Sequence, residues 1–454
     1  MNFNFELFCI VEFLYIFMAK NQIYAALDIG SSKIATLIAQ KSIETGRISV
    51  IGASSIPSKG IKKGQIINLE EVSQAVVSSV EAAERMAGVG VEHMAVNISS
   101  VNINSMNSHG VVAVATPQGE VSRNDVMRVI EVAQAISLPN TQEVLHVLPT
   151  SYTLDTQSGI RDPIGMSGER LEVDTHIITA SSILVRNITR CVAELGSQMD
   201  YLVFNGLASA YAVLTETEKE LGVVLVDIGG GTTDIAMYVE GSLVYSAVLP
   251  VGAKNITSDL AIGFKVSLES AEKIKLFLSK VPERVVVPDD VDLPPTKKFT
   301  SRDKRKEEAL DFSSLSLKEE VPAVSRKALV EGIIRPRVLE IFDLVVNHIE
   351  KSGYSHSVPS GLVLCGGGAM TVDILETVKR RVGLPVRIGE PTGLTGLIED
   401  VSTPAFATTL GMLLFAVEQE YAGSSGKTGN GRNVFSGAGN FTNKVISMIK
   451  SMLP

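Results

Sequence analysis

The chain has 454 residues, enough for two to four domains and more than one buried core. It is 45% hydrophobic and 20% charged, and its formal net charge of −9 argues against nucleic acid as a bulk partner, because phosphate binding favours a basic surface. The three cysteines, Cys9, Cys191 and Cys365, are odd in number and lack CxxC spacing. Neither a disulfide framework nor a zinc site is therefore expected, and a reducing compartment fits.

Residues 3–17 form an apolar and aromatic stretch that is interrupted by Glu6 and Glu12. No basic start or small-residue cleavage site marks a secretory signal. The stretch is short for a spanning helix, and two carboxylates inside it would be costly. We interpret residues 1–21 as an N-terminal extension or a mis-assigned start, with translation beginning at Met18. A segment that touches a membrane is the alternative.

Two glycine-containing motifs occur in the same local context, about 200 residues apart. The first, Asp-Ile-Gly-Ser-Ser-Lys at residues 28–33, lies between two short apolar runs. The second, Asp-Ile-Gly-Gly-Gly-Thr-Thr-Asp at residues 227–234, also lies between two such runs. Each pattern is typical of a strand, a tight turn and a second strand. We call them the first and second glycine turns, and the repeat predicts two similar domains facing each other.

Helical spacing of apolar residues predicts helices at residues 69–87, 124–137, 328–349 and 404–421. The first of these is followed by a glycine, a common residue just beyond the end of a helix. Pro336 falls inside the third, so we expect that helix to be kinked or broken there.

The third glycine turn, residues 366–368, follows a strand predicted at residues 361–365. Glycine lets backbone amides approach a phosphate without a β-carbon in the way, and successive amides in such turns form an anion-binding concavity. Serine and threonine hydroxyls in the first two turns can donate to phosphate oxygens. The candidate binding residues in these turns are Asp28, Gly30, Ser31, Ser32, Lys33, Asp227, Gly229, Gly230, Gly231, Thr232, Thr233, Gly366, Gly367 and Gly368.

Two aspartates are the candidate metal residues, because Asp28 and Asp227 end the two facing strands. A hard magnesium ion that keeps several waters suits such a carboxylate-lined floor. Lys33 can add a point charge toward phosphates.

The three turns together resemble the first phosphate, second phosphate and adenosine motifs of the actin, Hsp70 and sugar-kinase superfamily. The resemblance implies an α/β fold with the two lobes of an actin-like ATPase, built from duplicated RNase H-like domains, that binds ATP and Mg²⁺. It also places Glu272 and Lys275 next to the ribose and base. A solvent-exposed charged helix is the alternative for these two residues.

Hydrolysis needs a positioned water as well as bound phosphates. In many superfamily members a Glu or Gln on the connecting helix orients that water, and the matching place in this chain is occupied by Asn205. Asparagine cannot act as a base, although it can hydrogen-bond a water. We therefore expect nucleotide binding with slow or negligible hydrolysis, and Asp227 is the other candidate for a catalytic role.

Four further stretches, at residues 57–70, 144–168, 206–215 and 386–394, occur in the order found in the FtsA family of bacterial cell-division proteins. The chain resembles that family over roughly residues 22–420. The implied division is subdomain 1A at 22–98, 179–202 and 385–421, an inserted SHS2-type subdomain 1C at 99–178, subdomain 2A at 203–255 and 331–384, and subdomain 2B at 256–330 with a variable insert at 281–325. A flexible linker at 422–440 and an amphipathic helix at 441–454 complete it.

The final segment is the candidate membrane anchor, because its apolar residues recur at three- and four-residue steps opposite lysines and serines. The residues assigned to the membrane are Phe441, Lys444, Val445, Met448, Ile449, Lys450, Met452 and Leu453. A helix docked on the globular body is the alternative, but docking would not need the long Gly- and Ser-rich linker that precedes it. Lysines beside bulky apolar side chains suit an anionic lipid surface.

Membership of this family would imply a scaffold on the cytoplasmic face of the cell membrane at the division site. The implied partners are the C-terminal peptide of the tubulin-like protein FtsZ, further copies of the chain in actin-like filaments, later division proteins and anionic inner-membrane lipids. The basic pair Arg326 and Lys327 is the candidate contact for the acidic FtsZ peptide. The alternatives are another actin-like scaffold, of the MreB or PilM type, and a sugar or acetate kinase of the same fold.

Overall fold

The computed structural model describes residues 21–42, 45–115, 119–280, 310–321, 324–396 and 401–424. Several predictions lie outside these residues. They are the N-terminal extension up to residue 20, most of the variable insert (281–309 and 322–323), the linker from residue 425 and the amphipathic helix at 441–454.

The described strands are β1 (Asn21–Ile29), β2 (Lys33–Ser42), β3 (Ile48–Pro57), β4 (Ile61–Lys62), β5 (Gln65–Ile66), β6 (His93–Ile98), β7 (Asn104–Ala113), β8 (Gln142–Leu154), β9 (Gln157–Ile160), β10 (Arg170–Ser181), β11 (Gln198–Phe204), β12 (Val223–Ile228), β13 (Thr233–Val239), β14 (Ser242–Leu249), β15 (Leu362–Cys365), β16 (Val386–Ile388) and β17 (Thr395–Gly396).

The described α-helices are α1 (Leu69–Ala87), α2 (Arg123–Gln134), α3 (Ser182–Ala193), α4 (Asn205–Val213), α5 (Glu216–Leu221), α6 (Ala253–Phe264), α7 (Leu268–Lys280), α8 (Arg326–Leu329), α9 (Arg335–Lys351), α10 (Ile374–Val382) and α11 (Ala407–Ser424).

Two sheets repeat the same topology. The first has the order β11-β6-β1-β2-β3-β17 and the second the order β14-β13-β12-β15-β16. In each, three consecutive strands form an antiparallel meander (β1 to β3, β12 to β14). A later strand (β6 or β15) pairs in parallel with the first of them, and a further strand (β11 or β16) pairs in parallel with that one. The repeat inferred from the two glycine turns is therefore confirmed as a duplication of the sheet.

A third sheet, β7-β10-β8-β9, is inserted between β6 and α3 of the first lobe. Helix α2 packs on it and closes a small separate core that contains Val129, Leu171 and Val173. We call the part of the chain from β7 to β10 the inserted unit.

Local signals explain why α1 spans the predicted residues. The Asn68 side chain accepts a hydrogen bond from the Glu71 N–H at the start, and Gly88 adopts φ +70 at the end. These are the usual ways in which a helix satisfies its terminal backbone groups and stops.

The predicted interruption near Pro336 takes the form of a π-helical turn, Val330–Ile334, between α8 and α9. This wider turn changes the backbone hydrogen bonding in a segment that ends two residues before Pro336, which has no N–H to donate. Helix α11 runs to Ser424, into the stretch predicted as linker.

Helices α4 and α11 pack against each other, and α4 also contacts the second sheet at β12 and β13. Their contact is close, since a β-carbon on Gly411 would lie 1.8 Å from the Ala208 carbonyl oxygen. The interior position of α4 brings its first residue, Asn205, to the cleft between the lobes. Among the described residues, no helix combines the length and apolar character needed to cross a membrane.

Candidate nucleotide site

The first and second glycine turns have the same hydrogen bonding. The Gly30 N–H donates to the Lys33 carbonyl at 3.0 Å, and the Gly229 N–H donates to the Thr232 carbonyl at 2.9 Å. Each turn connects the first two strands of its sheet meander. The duplicated sheets therefore present two equivalent turns.

These two turns touch each other across the cleft. A β-carbon on Gly230 would lie 1.9 Å from the Ser32 Oγ, so a larger residue would not fit without movement. The Ser31 Oγ accepts a hydrogen bond from the Gly64 N–H at 3.1 Å. The Lys254 Nζ, at the start of α6 in the second lobe, donates to the Ser31 carbonyl at 2.6 Å. The turns and this lysine thus connect the lobes directly.

The third glycine turn lies against the end of β12. Gly366 adopts φ +80, and a β-carbon there would lie 2.2 Å from the Asp227 Oδ1. A β-carbon on Gly368 would lie 2.2 Å from the Ile228 Cγ2. Both positions therefore require glycine, and the three turns converge on one place in the cleft.

A cavity of about 340 Å³ lies where the turns converge. The predicted residues that line it are Asp28, Gly30, Ser31, Ser32, Lys33, Asn205, Asp227, Gly229, Gly230, Thr232, Glu272, Lys275, Gly366, Gly367 and Gly368. Gly231 and Thr233 are not among its lining residues. Thr233 is fully buried and its hydroxyl donates to the Val251 carbonyl at 2.9 Å, so it does not present a donor to the cavity.

Three buried carboxylates lie close to the turns. Burial raises the pKa of Asp28 to about 6, against the lowering effects of Lys33 and of its Asn97 hydrogen bond. Burial also raises the pKa of Asp227, whose Oδ2 accepts hydrogen bonds from the Ser209 and Thr408 hydroxyls. A cation placed nearby would favour the charged form of both groups.

Asp234 is the third carboxylate, and its pKa is raised well above the usual range by burial. Its Oδ2 accepts from the Ser99 hydroxyl at 2.8 Å, and the same hydroxyl lies 3.0 Å from the Thr232 Oγ1. Its Oδ1 is buried and has no hydrogen-bond partner within the part of the chain that the structure describes. Asp234 ends the second glycine motif but is not among the residues that the sequence predicts to bind.

Lys33 occupies the wall of the cavity. Its Nζ lies 3.4 Å from the centroid of the Phe406 ring, an arrangement suited to a cation–π contact. Burial lowers the pKa of this ammonium, while Asp28 and Asp227 raise it.

The residues present fit a magnesium ion held through water. Two carboxylates that burial makes costly to ionise, Asp28 and Asp227, face the same cavity. Within the described ranges no group of three or more His, Cys, Asp and Glu side chains could hold a metal by itself. A cation there would need waters or a bound phosphate as further ligands, which is how Mg²⁺ is usually bound.

Helix α7 also lines the cavity. The Lys275 Nζ is buried and donates to the Glu272 Oε2 at 2.7 Å and to the Thr257 Oγ1 at 3.0 Å. The Glu272 carboxylate also accepts from the Thr257 hydroxyl. Glu272 and Lys275 thus belong to one hydrogen-bonded group at the cavity. The alternative interpretation, in which both residues lie on a solvent-exposed charged helix, does not fit this arrangement.

Three further residues at the site were not predicted from the sequence: Asn97, Ser99 and Lys254. Asn97 lies in β6, and Ser99 follows that strand directly. Their position at the end of an apolar run was a signal, since polar residues at strand ends often line a site. Lys254 carried no comparable signal.

The two candidate FtsZ-contact residues differ in their surroundings. Lys327 is 79% exposed, with its Nζ 3.9 Å from the Glu331 Oε2, whereas Arg326 is half-buried and its Nε has no hydrogen-bond partner among the described residues. The candidate membrane residues lie outside the described residues.

A comparison with solved structures shows the fold. The chain resembles a structure titled "PilM-PilN type IV pilus biogenesis complex" with a TM-score of 0.58, covering 87% of this chain and 98% of that one. The sequence identity is 14%, so the likeness concerns the fold alone.

Comparison with known sequences shows the family as well as the fold. A family model described as "SHS2 domain inserted in FTSA" matches residues 100–179, and one described as "Cell division protein FtsA" matches residues 224–411. Relatives named "Cell division protein FtsA" are 36% identical in Pseudomonas aeruginosa, 37% in Neisseria meningitidis and 33% in Escherichia coli. Each match covers 89% of this chain and 92% of the relative.

The duplicated sheets, the paired turns across a cleft and the inserted unit define an actin-like protein, as predicted. The chain belongs to the FtsA family of bacterial cell-division proteins. It is therefore an actin-like cell-division protein with an inserted SHS2 domain, and the predicted fold class is confirmed for the described residues.

Proposed function

We propose that the protein is a membrane-anchored, ATP-binding scaffold of the bacterial division ring. It tethers FtsZ filaments to the cytoplasmic face of the cell membrane, forms filaments with further copies of itself and recruits later division proteins. Family membership supports this role. The predicted division into subdomains 1A, 1C, 2A and 2B belongs to the same proposal.

The convergence of three glycine turns on one cavity is the observation that carries nucleotide binding. Backbone amides in such turns stabilise phosphates, and Asp28 and Asp227 are positioned to hold Mg²⁺ through water. The bound ion would neutralise phosphate charge. The ribose and base are assigned to the side of Glu272 and Lys275.

Binding is favoured over hydrolysis. Asn205 lies at the cavity and cannot accept a proton as a base. Asp227 is held by hydroxyl donors from Ser209 and Thr408, which fix the orientation of its carboxylate. We expect a bound nucleotide to act mainly as a structural ligand between the lobes.

Attachment to the membrane is assigned to the amphipathic pattern of residues 441–454, and contact with the FtsZ peptide to Arg326 and Lys327. The exposure of Lys327 supports the second assignment, because a rim charge steers an acidic peptide toward its site. The Gly- and Ser-rich linker would let the tail reach lipid without fixing the orientation of the lobes.

Co-sedimentation with anionic liposomes in the presence of ATP and Mg²⁺ tests the proposal. We expect the full chain to pellet with the vesicles and a chain lacking residues 441–454 to remain in solution. Ile449→Glu, on the apolar face of the predicted helix, should also release the protein. Ser447→Glu, on its polar face, adds the same charge and should release it less. Equal binding by the full and truncated chains would refute the anchor.

A further inference from the structure

Asn97 connects three groups beneath the cavity. It is 2% exposed, and it lies in β6, parallel to β1. Its Oδ1 accepts from the Ile29 N–H at 2.6 Å. Its Nδ2 lies 2.7 Å from the Asp28 Oδ1 and 3.1 Å from the Asn205 Oδ1.

The chemistry of these partners determines which way both amides face. A backbone N–H can only donate, so Asn97 must present its oxygen to Ile29. Its nitrogen then supplies one hydrogen to the Asp28 carboxylate and the other to Asn205. Since Asn97 donates, Asn205 must present its own oxygen in return. The assignment of oxygen and nitrogen in both amides follows from this network.

The nitrogen of Asn205 is therefore the part of its amide left for the cavity. Asn205 lines that cavity, and within the described residues its Nδ2 makes no hydrogen bond. The backbone at this point is held in place, because the preceding Phe204 N–H donates to the His146 Nε2 at 3.0 Å and the next four residues of α4 are interior. The site thus presents a fixed N–H donor.

A donor in this position suits an anionic oxygen and not the hydrogens of an attacking water. To orient a nucleophilic water, a side chain must accept its proton or hydrogen bond. The Asn205 oxygen, which could do so, is directed at the Asn97 Nδ2, so the amide nitrogen is the atom that remains for the cavity. A phosphate oxygen, by contrast, accepts from an amide N–H in a charge-assisted hydrogen bond.

We propose that Asn97 is a positioning residue that holds Asn205 as a hydrogen-bond donor to the terminal phosphate of a nucleoside triphosphate. The protein would thereby distinguish a triphosphate from a diphosphate. This inference rests on the proposed nucleotide binding and on its orientation, with the base near α7. In that orientation the phosphate chain ends on the floor formed by Asp28, Asn97 and Asn205.

The first arm of the test is Asn205→Ala, measured by calorimetric titration with ATP and with ADP, each with Mg²⁺. A hydrogen bond to a charged group contributes about 1.5–3 kcal/mol, so the preference for ATP over ADP should fall by about tenfold or more. Asn124→Ala, on the exposed side of α2 in the inserted unit, is the matched control and should keep the wild-type preference.

The second arm examines Asn97. Asn97→Ala should lower the ATP preference in the wild-type background and leave it unchanged in the Asn205→Ala background, which a merely structural role would not produce. Asn97→Asp keeps the side-chain volume and the contact with Ile29 but presents an acceptor to Asn205. The Asn205 amide should then turn, and the preference should fall as in Asn205→Ala. Because the new carboxylate also faces Asp28, the variant is repeated in the Asn205→Ala background, where a loss caused by charge alone would persist and a loss caused by the turned amide would not. With this comparison, Asn97→Asp replaces Asn97→Ala if the latter does not fold.

The outcomes separate the two proposals. If the wild-type chain binds neither nucleotide, the proposed function and this inference both fail. If it binds nucleotide and Asn205→Ala retains the wild-type preference, only this inference fails. If Asn205→Ala lowers the preference while both Asn97 variants retain it, the positioning role of Asn97 is wrong.

Discussion

At the scale of single residues, the contact between the first and second glycine turns leaves no room for a side chain. A β-carbon on Gly230 would approach the Ser32 Oγ to 1.9 Å and the Ser32 Cβ to 2.8 Å. Serine is a short side chain with little freedom to move aside, so the backbone of one turn would have to shift. The absence of a side chain at residue 230 thus permits the lobes to approach as closely as they do.

Gly230→Ala should therefore weaken nucleotide binding. Overpacking typically costs about 1–3 kcal/mol, so we expect the affinity for ATP with Mg²⁺ to fall by about fivefold or more, measured by calorimetric titration. Gly332→Ala, in the π turn where an added β-carbon meets nothing within 4 Å, is the control and should bind like the wild type. Equal affinities for Gly230→Ala and the wild type would show that the turns separate when nucleotide binds.

At the scale of elements, the inserted unit belongs to the first lobe by chain connection but also bonds to the second. The Ser105 hydroxyl donates to the Ser246 carbonyl of β14 at 2.7 Å. The His176 Nε2 lies 2.8 Å from the Ser246 Oγ, and its Nδ1 lies 2.7 Å from the Asn107 Oδ1. Polar contacts therefore join the inserted sheet to the edge strand of the second sheet.

Two buried histidines of the inserted unit should make the protein less stable in mild acid. Burial lowers the pKa of His146 to about 3 and that of His176 to about 4, against an unfolded value of 6.5. Below pH 6.5 the unfolded chain binds these protons first, so the free energy of unfolding falls as the pH falls toward the folded pKa. Each histidine can lower the free energy of unfolding by at most about 1.4 kcal/mol for each unit by which the pH falls.

Chemical denaturation between pH 7 and 5 measures this effect. In His146→Gln and in His176→Asn, the free energy of unfolding should fall less with decreasing pH than it does in the wild type. In the exposed His356→Gln it should fall as in the wild type. The buried Asp28 and Asp227, with raised pKa values, contribute a slope of opposite sign that is common to all four proteins. Identical slopes in all four would mean that neither histidine stays neutral in the folded chain.

At the scale of the whole molecule, the two lobes meet at the turns, along α4 and α11, and through the inserted unit. The Lys254–Ser31 hydrogen bond lies beside the nucleotide cavity and crosses the cleft. A ligand held by turns from both lobes would add to these contacts. Ligand binding and the stability of the closed arrangement should therefore be linked.

Thermal unfolding with and without ATP and Mg²⁺ tests this link. A ligand at about 100 times its Kd adds about 2.7 kcal/mol to the free energy of unfolding, so the Tm should rise. Lys254→Met removes the donor to the Ser31 carbonyl and should reduce the rise at the same ATP concentration, whereas the exposed Lys351→Met should not. A wild-type Tm that ATP does not change would contradict nucleotide binding between the lobes.

The sequence by itself predicted the duplicated strand–turn–strand units, the third glycine turn and the bounds of α1. Each is encoded locally. Tight turns that approach other backbone need glycine, and a helix begins and ends where side chains or glycine satisfy its terminal groups. The ordered motifs were likewise sufficient to predict the family.

Only the tertiary structure showed that Asn97, Ser99 and Lys254 belong to the site, and that Thr233 is buried away from the cavity. Asn97 is 108 residues from Asn205, and Lys254 is 223 residues from the carbonyl it contacts. No local pattern encodes such contacts, because they arise when the packing of two sheets brings distant strand ends together. For the same reason, the direction in which the Asn205 amide faces was decided by its neighbours in space and not by its neighbours in the chain.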